Sequence, residues 1–411
     1  MTSKLVLRAT TAIACAVAAA PAAAQEVTTG VSLSVGGSYD SSPFLDSEGE
    51  GESGSVSGFA EVEPRISIAD ETSNVQLAGA LRYAYFPALD RSNEAARLRL
   101  TGNSRIAEAT SINASASFLT SRAIGVDLLR QDPDVLGPGG ELPLPPDIDP
   151  TLVNQRGRTT SLGLSGGITH ALSPVSNLSA GVFSNWRWFS GESLGGLGRE
   201  STTTGANLGY SRVLSERATL NVGVSGSLID YEGSDFGDAR TLTPTAGARI
   251  RISETGEISF GAGATFIRTD LGAFGKDNSV LASGNLSYCD RAIGGSLCLT
   301  GSRSAQATGT SGVSAVSALS LGWSRQLSER GSLSLSGRYA RSSNSTLLVE
   351  DEIVTASTEL YGVNARYRHR FNERFSGYAQ ASFTEATSSL VERKPNFGIM
   401  AGITVSLGNN R

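Results

Sequence analysis

The chain has 411 residues, with 34 lysines and arginines against 39 aspartates and glutamates, and a formal net charge of −5. Such a mildly acidic chain argues against nucleic acid as a partner. It contains 48 glycines and is rich in serine and threonine, and only Lys4, Lys276 and Lys394 supply lysine. This composition suits tightly curved strands around a wet interior better than a conventional apolar core.

The first residues have the pattern of a secretory signal peptide. Lys4 and Arg8 precede a short apolar stretch, and alanines at positions 22–24 place small residues where signal peptidase cleaves. The apolar stretch is too short to span a bilayer. We predict a signal peptide over residues 1–24 and a mature chain over 25–411. At this point both a soluble secreted domain and an outer-membrane barrel remain open.

One repeated pattern favours the barrel. An alternating run ends in a short polar turn, and a second alternating run follows. The clearest copies read Tyr-Ser-Arg-Val-Leu-Ser-Glu-Arg-Ala-Thr-Leu at 210–220, Trp-Ser-Arg-Gln-Leu-Ser-Glu-Arg-Gly-Ser-Leu at 323–333, and Tyr-Arg-His-Arg-Phe-Asn-Glu-Arg-Phe at 367–375. Looser copies turn at 70–73, 106–109, 173–176, 253–256 and 290–295. Repetition of one hairpin unit indicates an array of antiparallel strands.

The runs beside these turns alternate with a period of two. In the last run the apolar residues share one face: Phe397, Ile399, Ala401, Ile403, Val405 and Leu407. Residues between them are mostly Ser, Gly, Thr, Asn or Arg throughout the chain. Strict alternation over about ten residues is typical of a transmembrane barrel strand, and a helical period of 3.6 fits none of these runs.

Counting the hairpins gives the fold class. Eight turns join sixteen strands, and the runs at 31–39 and 396–407 add one strand at each end. We predict an all-β, transmembrane, antiparallel up-and-down β-barrel of 18 strands, with 16 as the lower bound, in the bacterial outer membrane. Short turns then face the periplasm and nine longer loops face outward. A soluble sandwich would need a second buried layer, yet the second face is polar in almost every strand.

The polar face predicts the lining of the lumen. It carries mainly arginines, namely Arg82, Arg97, Arg99, Arg187, Arg249, Arg251, Arg338, Arg366, Arg368 and Arg370, and Glu61, Glu63 and Arg65 add a mixed patch. A ring of lumenal arginines biases a pore toward anions or acidic sugars. The alternative is structural, because a barrel interior also needs charge pairs to satisfy its polar side chains. Both interpretations stay open at this stage.

The connection at 122–157 is the longest. It joins the fifth and sixth strands and holds six of the thirteen prolines: Pro133, Pro138, Pro143, Pro145, Pro146 and Pro150. Long loops of this kind are functional or disordered. We expect it to enter the barrel mouth and limit the bore. The alternatives are a binding surface outside the barrel and a disordered segment.

Enzymatic machinery is missing from the sequence. The only histidines, His170 and His369, fall at strand ends, and no Cys/His cluster has metal-ligand spacing. No phosphate-binding loop occurs. We therefore predict no catalytic residues, no metal and no cofactor.

Two cysteines, Cys289 and Cys298, flank the turn at 290–295. They lie on the two strands of one hairpin, so their Cα atoms can come within disulfide range, and the periplasm is oxidising. We predict a disulfide between them. The alternative is that they are two small residues that merely face each other.

The repeated hairpins resemble those of a family of outer-membrane β-barrel porins associated with exopolysaccharide export. The resemblance rests on the aromatic-Ser-Arg-x-Leu-Ser-Glu-Arg-x-x-Leu turns and covers the chain from about Val27 to Leu407. The family has no catalytic residues to carry over. One departure is the end of this chain, Ser-Leu-Gly-Asn-Asn-Arg, because barrels commonly end in an aromatic residue. The resemblance implies passage or export of polysaccharide, or a general porin role.

Two functions follow as alternatives. The first is a channel for hydrophilic solutes, including acidic saccharides. The second is a structural or surface-binding barrel with a plugged lumen. For either, we expect outer-membrane lipids and the barrel-assembly machinery as partners, with anionic solutes or polysaccharide as further partners of a channel.

Overall fold

The computed structural model describes residues 26–45, 54–122, 150–151, 157–190, 199–232, 236–292, 294–308, 312–349, 352–389 and 393–408. The strands are β1 (Glu26–Asp40), β2 (Ser55–Ala69), β3 (Ser73–Phe86), β4 (Arg91–Ala107), β5 (Thr110–Ser121), β6 (Arg158–Ser173), β7 (Ser176–Ser190), β8 (Ser201–Ser215), β9 (Ala218–Tyr231), β10 (Phe236–Arg251), β11 (Gly256–Leu271), β12 (Lys276–Asp290), β13 (Gly295–Ala307), β14 (Val313–Gln326), β15 (Gly331–Val349), β16 (Glu352–Arg370), β17 (Phe375–Ser388) and β18 (Asn396–Gly408). Two short 3-10 turns occupy Pro87–Leu89 and Gly272–Phe274. No helix among the described residues is long and apolar enough to cross a bilayer. The predicted signal peptide at 1–24 lies outside the described residues.

The strands close into one barrel. Each strand pairs antiparallel with its chain neighbours, and β1 pairs with β18 to complete an 18-stranded sheet. The closing ladder runs from Gly30 opposite Gly408 to Asp40 opposite Gly398. Inside it, the hydroxyl oxygens of Ser34 and Thr404 lie 2.8 Å apart in a hydrogen bond. The predicted fold class and strand count are confirmed.

The two faces of the wall follow the alternation in the sequence. Val35, Val182, Val280 and Ile399 point outward, and each is at least 60% exposed. On the opposite face, polar residues such as Ser34 are buried inside the barrel. A closed sheet leaves no strand edge in contact with lipid, and an apolar exterior matches the bilayer. The protein is therefore a barrel of the bacterial outer membrane.

The eight predicted turns lie together at one end of the barrel, which we call the turn end. Their polar residues cap the turns, because their side chains accept backbone N–H groups that the ladder leaves free. Ser328 Oγ accepts the N–H of Gly331 at 2.9 Å, and Asn372 Oδ1 accepts those of Arg374 and Phe375, each at 2.9 Å. The Ser or Asn of the repeated motif is therefore a turn-capping residue.

The strand ends that the other nine connections join lie at the opposite end of the barrel, which we call the loop end. The sequence had predicted that all nine connections are longer than the turns, and this is wrong for some of them. The connections 87–90, 272–275 and 350–351 are as short as the turns at the other end. The reason is strand extension, which is clearest in β15 and β16, where each strand reaches 19 residues. Ser343, for example, lies within β15.

Candidate functional site

The ten arginines predicted to line the lumen all occupy inward positions of their strands. Arg82 alternates with the exposed Tyr83, and Arg97 and Arg99 flank the exposed Leu98. The same parity places the others inward: Arg187, Arg249, Arg251, Arg338, Arg366, Arg368 and Arg370.

Two aromatic rings form a platform on the inner wall between β2 and β17. Phe59 and Tyr378 belong to a buried apolar cluster with Ala84, Phe86 and Met400. Each ring lies against a glycine of a neighbouring strand. A Cβ at Gly36 would stand 2.7 Å from Phe59 Cζ, and one at Gly402 would stand 2.8 Å from the Tyr378 hydroxyl oxygen. Glycine at these two positions is therefore what allows the rings to lie along the wall.

Two of the predicted arginines lie over this platform. The guanidinium carbon of Arg82 is 4.9 Å from the centre of the Phe59 ring, and that of Arg366 is 4.3 Å from the centre of the Tyr378 ring. Arg82 also approaches Met400, with Nη2 to Sδ at 3.6 Å. Cation–π contacts of this kind hold a guanidinium in place.

Other charges complete what we call the lumenal cluster: Glu61, Glu63, Arg82, Arg97, Arg338, Arg366 and Arg368, on the Phe59–Tyr378 platform. Glu61 interacts electrostatically with Arg82, Arg97 and Arg366. Arg97 on β4 and Arg338 on β15 are also close enough to repel each other, although six strands separate β4 from β15 on the shorter way round the wall. The charges of these strands therefore meet within the bore.

The lumenal cluster and the inner wall beside it have unused hydrogen-bonding capacity. Arg82 Nε, Gln380 Nε2 and Asn364 Oδ1 are buried, and none of these atoms has a hydrogen-bond partner among the described residues. Buried polar atoms are almost always satisfied by protein or water. These atoms therefore require water or a solute, and two of the three are donors suited to an anion.

The remaining predicted arginines do not join the cluster. Arg249 pairs with Glu257, with Nε to Oε1 at 3.3 Å, near the turn end. Arg187 donates from Nη1 to the carbonyl oxygen of Ala307 at 3.5 Å, which places it against a different element. Arg99 and Arg251 are exposed on the inner wall. The arginines therefore do not form the expected ring around the lumen. Some of them meet in one cluster, and the others are isolated.

Opposite the cluster the inner wall is polar. A cavity of about 430 Å³ lies against β7–β12, and its inward side chains include Asn207, Asn221 and Asn285. Amide groups on the wall replace part of the hydration shell of a polar solute. Together with the lumenal cluster, this wall gives the barrel a hydrophilic interior.

One inward element was not expected from the sequence. The end of β13 and the start of β14 turn into the loop end of the lumen, where Ala307 and Val313 pack against Ile229, Tyr231 and Ala239 on the inner face of β9 and β10. We call residues 304–308 and 312–316 the inward hairpin. Its alternating small residues read like ordinary wall, so the sequence carries no signal for this placement.

The inward platform residues Phe59 and Tyr378 were not predicted from the sequence either. The signal that could have found them is their phase, because both are aromatic residues on the polar face of an alternating strand. Buried aromatic rings at such positions have to pack against something inside the barrel.

The cysteine pair lies where the hairpin predicts. Cys289 and Cys298 are opposite each other in the β12–β13 ladder, with Cα atoms 4.1 Å apart and their sulfur atoms joined. Oxidation of this pair in the native protein stays a prediction.

The long connection at 122–157 falls mostly outside the described residues. Of the parts described, Pro150 and Thr151 are buried. Its entry into the barrel mouth stays a prediction.

The histidines lie at strand ends, as expected. Thr110 Oγ1 and His170 Nδ1 are 2.9 Å apart at the turn end, and His369 stacks on Tyr367 there. Within the described ranges, no group of three His, Cys, Asp or Glu side chains is arranged to hold a metal ion.

No protein-family model and no curated protein matches the sequence. Among solved structures, the chain is similar to OccK9 (OpdG) of Pseudomonas aeruginosa, with 12% identity, a TM-score of 0.46, and coverage of 93% of this chain and 99% of that one. It is similar to a BenF-like porin from Pseudomonas fluorescens Pf-5 at 10% identity and a TM-score of 0.45, covering 93% and 99%. It is also similar to OccK2 (OpdF) of Pseudomonas aeruginosa, with 11% identity, a TM-score of 0.44, and coverage of 93% of this chain and 98% of that one. At this level of likeness, any statement about function has to come from the chain's own residues.

Proposed function

We propose that the barrel is a channel for small hydrophilic solutes that favours anions, above all carboxylates and acidic sugars. The observation that carries this proposal is the pair Arg82 and Arg366, held over Phe59 and Tyr378 inside the barrel. Guanidinium groups bind carboxylates through paired N–H donors, and here their positions are fixed before a solute arrives.

The acidic residues of the cluster serve the same function. A channel needs a site that is attractive enough to enter and weak enough to leave. Glu61 interacts with Arg82, Arg97 and Arg366, and thereby offsets part of their positive charge. We propose that this balance keeps an anion bound only briefly. The polar wall around Asn207 and Asn221 forms hydrogen bonds with the hydroxyl groups of the solute.

Planar-bilayer recording tests the proposal. We expect the wild-type channel to prefer chloride over potassium in a salt gradient. We expect Arg82→Gln with Arg366→Gln to lower the permeability ratio about fivefold, which corresponds to about 1 kcal/mol of charge interaction at high effective dielectric constant. Glucuronate should reduce the chloride current of the wild type more than glucose does.

Arg240→Gln is the matched control, because Arg240 is an exposed arginine on the outward face of β10. It should leave the ratio unchanged. A folded double variant with unchanged selectivity would remove the lumenal cluster from the function. The anion selectivity would then come from the other inward arginines.

Export of polysaccharide is the finer proposal that the sequence resemblance implies. The acidic-sugar preference is compatible with it, and a polyanionic oligosaccharide that blocks current from one side only would support it. The competing proposal is a structural barrel with a plugged lumen, which the inward hairpin favours. Absence of any conductance from correctly folded protein would select that second function.

A further inference from the structure

The barrel wall has one incomplete ladder. β12 and β13 pair through only seven residues each, from Asp290 opposite Leu297 to Gly284 opposite Arg303, although the strands have 15 and 13 residues. Every other neighbouring pair has ten or more paired positions. The two strands therefore separate from Gly284 and Arg303 toward the loop end, and we call this gap the seam.

The β12 edge of the seam has no ladder partner on its β13 side within the described residues, whereas on the β13 edge the Ala307 carbonyl oxygen accepts a hydrogen bond from Arg187. Residues 276–283 of β12 pair with β11 alone, and residues 304–307 of β13 pair with β14 alone. Unpaired backbone groups are very unfavourable against hydrocarbon, and they are tolerated at membrane depth only where they border a polar, water-filled space. The edges therefore line an extension of the lumen.

The inward hairpin is the reason for the seam. Ala307 and Val313 pack on the inner wall at Ile229 and Tyr231, so the outer part of β13 has left the line of the wall. The Arg187 contact to the Ala307 carbonyl oxygen holds it there. The same displacement narrows the path along the axis and opens a path sideways.

The seam lies inside the apolar band. Phe266 and Val280 point outward from β11 and β12, with 50% and 65% exposure, and they are opposite each other in register. Val280 lies four residues nearer the loop end than Gly284, where the seam begins. Outward apolar side chains thus continue beyond the start of the seam, which therefore opens toward the bilayer.

The base of the seam has the features of a binding site. A groove of about 370 Å³ lies there, lined by small residues such as Ala282, Gly284 and Gly301, and by Arg303. Small side chains leave room for an extended chain. Arg303 is exposed on the outward face, where its Nη1 donates to Ser317 Oγ at 3.3 Å. An arginine at this depth needs an anionic or polar partner.

We propose that the seam is a lateral portal through which a single-chain amphiphile with an anionic head group passes between the lumen and the bilayer. The apolar chain lies in the groove among the small residues. The head group binds Arg303 and the unpaired backbone groups of the β12 edge. This route is separate from the axial path of the proposed channel function, because it does not use the lumenal cluster.

Fluorescence quenching in neutral phosphatidylcholine vesicles tests the portal, with doxyl stearate as the amphiphilic quencher. Bimane is attached without reductant to the full chain carrying Leu281→Cys, an inward position at the seam edge, opposite the buried Thr265. Val280→Cys reports the outward lipid face. Ser161→Cys, on the inner wall of β6, reports a closed part of the wall. We expect the label at 281 to be quenched within about twofold of the label at 280, and the label at 161 to be unquenched.

The identity of the occupant is tested by a second quencher and a variant. Doxyl phosphatidylcholine, with two chains and no net charge, should quench position 280 but only weakly position 281. Arg303→Gln should reduce quenching at 281 by stearate several-fold and leave position 280 unchanged. Ser283→Cys provides a second inward seam position if the first variant does not fold.

Two results would overturn the inference. If position 281 behaves like position 161, the seam does not reach the bilayer. If both quenchers act equally at 281 and Arg303→Gln has no effect, there is no selection of an anionic amphiphile. Either result is independent of the ion selectivity measured for the lumenal cluster.

Discussion

The phenolic oxygen of Tyr231 lies 2.6 Å from the carbonyl oxygen of Gly312, on an element 81 residues further along the chain. The same oxygen accepts a hydrogen bond from the backbone nitrogen of Thr308 at 3.0 Å. One buried hydroxyl thus connects both ends of the β13–β14 connection to the inner wall. The Tyr231 hydroxyl therefore holds the inward hairpin on both sides, at Thr308 and at Gly312.

Removing that hydroxyl should release the hairpin. Tyr231→Phe keeps the ring among Ile229 and Ala239 but loses two hydrogen bonds, each with a net value of about 1 kcal/mol. We expect a larger single-channel conductance, or more frequent large openings, in planar bilayers, because the hairpin spends less time in the lumen.

Tyr85→Phe is the control for that measurement. Its hydroxyl donates one hydrogen bond to Asp90 at 2.9 Å on the outer surface, far from the hairpin. Its conductance should equal that of the wild type. Equal conductance of Tyr231→Phe and wild type would show that the hairpin does not limit the current.

The glycine beneath Tyr378 should control the anion preference. In Gly402→Ala the new methyl would lie 2.8 Å from the Tyr378 hydroxyl oxygen and 2.9 Å from the Val35 carbonyl oxygen, so the ring has to move away from the wall. Arg366 then loses its support, and we expect the chloride-to-potassium permeability ratio to fall about two- to fivefold, the effect of about 0.5–1 kcal/mol of cation–π interaction.

Gly58→Ala serves as its control, since a Cβ there has no neighbour within 4 Å. It should leave both folding and selectivity unchanged. Selectivity that is insensitive to Gly402→Ala in a correctly folded barrel would argue that the platform has no influence on the arginines.

The turn at Asp70 should give the barrel a distinct acid sensitivity. Hydrogen bonds from the Ser73 hydroxyl and from the backbone N–H groups of Thr72 and Ser73 lower the pKa of Asp70 from 3.8 to about 2. Because the folded-state pKa is the lower one, its stabilisation is present above pH 3.8 and is lost as the pH falls through 2. Asp70→Asn keeps an acceptor oxygen but has no charge to titrate.

Heat-modifiability on gels measures this difference. The unfolding temperature of the wild type should exceed that of Asp70→Asn at pH 6, and the gap should narrow as the pH is lowered from 4 to 2. Asp70→Ala, without any acceptor, should be less stable than both at pH 6. A gap that stays constant across this range would contradict the role of the charged carboxylate.

The pair Cys289 and Cys298 should be oxidised in the native protein. Maleimide labelling of unreduced, denatured protein is expected to modify neither residue, and both after reduction. We expect the β12–β13 hairpin to be less resistant to protease once reduced, because the bridge closes the turn at its base. Two free thiols in unreduced protein would refute the bridge.

The orientation in the membrane is open to a direct test. A tag inserted at Gly275, at the loop end, should be reached by antibody on intact cells. One at Ser215, beside a capped turn, should be reached only after permeabilisation. The reverse pattern would place the loop end in the periplasm and invert the side from which an acidic solute first meets the lumenal cluster.

The fold could be predicted from the sequence because each strand carries its own evidence. Outward residues such as Val35 and Ile399 alternate with small polar ones, and capping residues such as Ser328 mark the turns between strands. These signals are local, so neither the strand count nor the inward parity of the arginines required knowledge of tertiary contacts. The predicted lengths of the loop-end connections were wrong where strands continue beyond the apolar band, as in β15.

The arrangement inside the barrel could not be predicted in the same way. Tyr231 meets Thr308 across 77 residues of sequence, and Ala305 and Ala307 fit an ordinary wall strand as well as an inward one. Alternation tells which face a residue occupies, but not which residues of distant strands meet across the lumen. The clustering of Arg82 with Arg366, and the isolation of Arg99, depend on that second kind of information.

The unequal ladders also make the wall mechanically uneven. The chain ends meet between β1 and β18 through a ladder from Gly30 to Asp40, which is longer than the one that joins β12 to β13. Under tension or in denaturant, the wall should therefore part first in the middle of the sequence and not at its termini. The backbone amides of residues 280–283 should exchange with heavy water before those of β1, and covalent joining of the two chain ends would do little to slow the first opening.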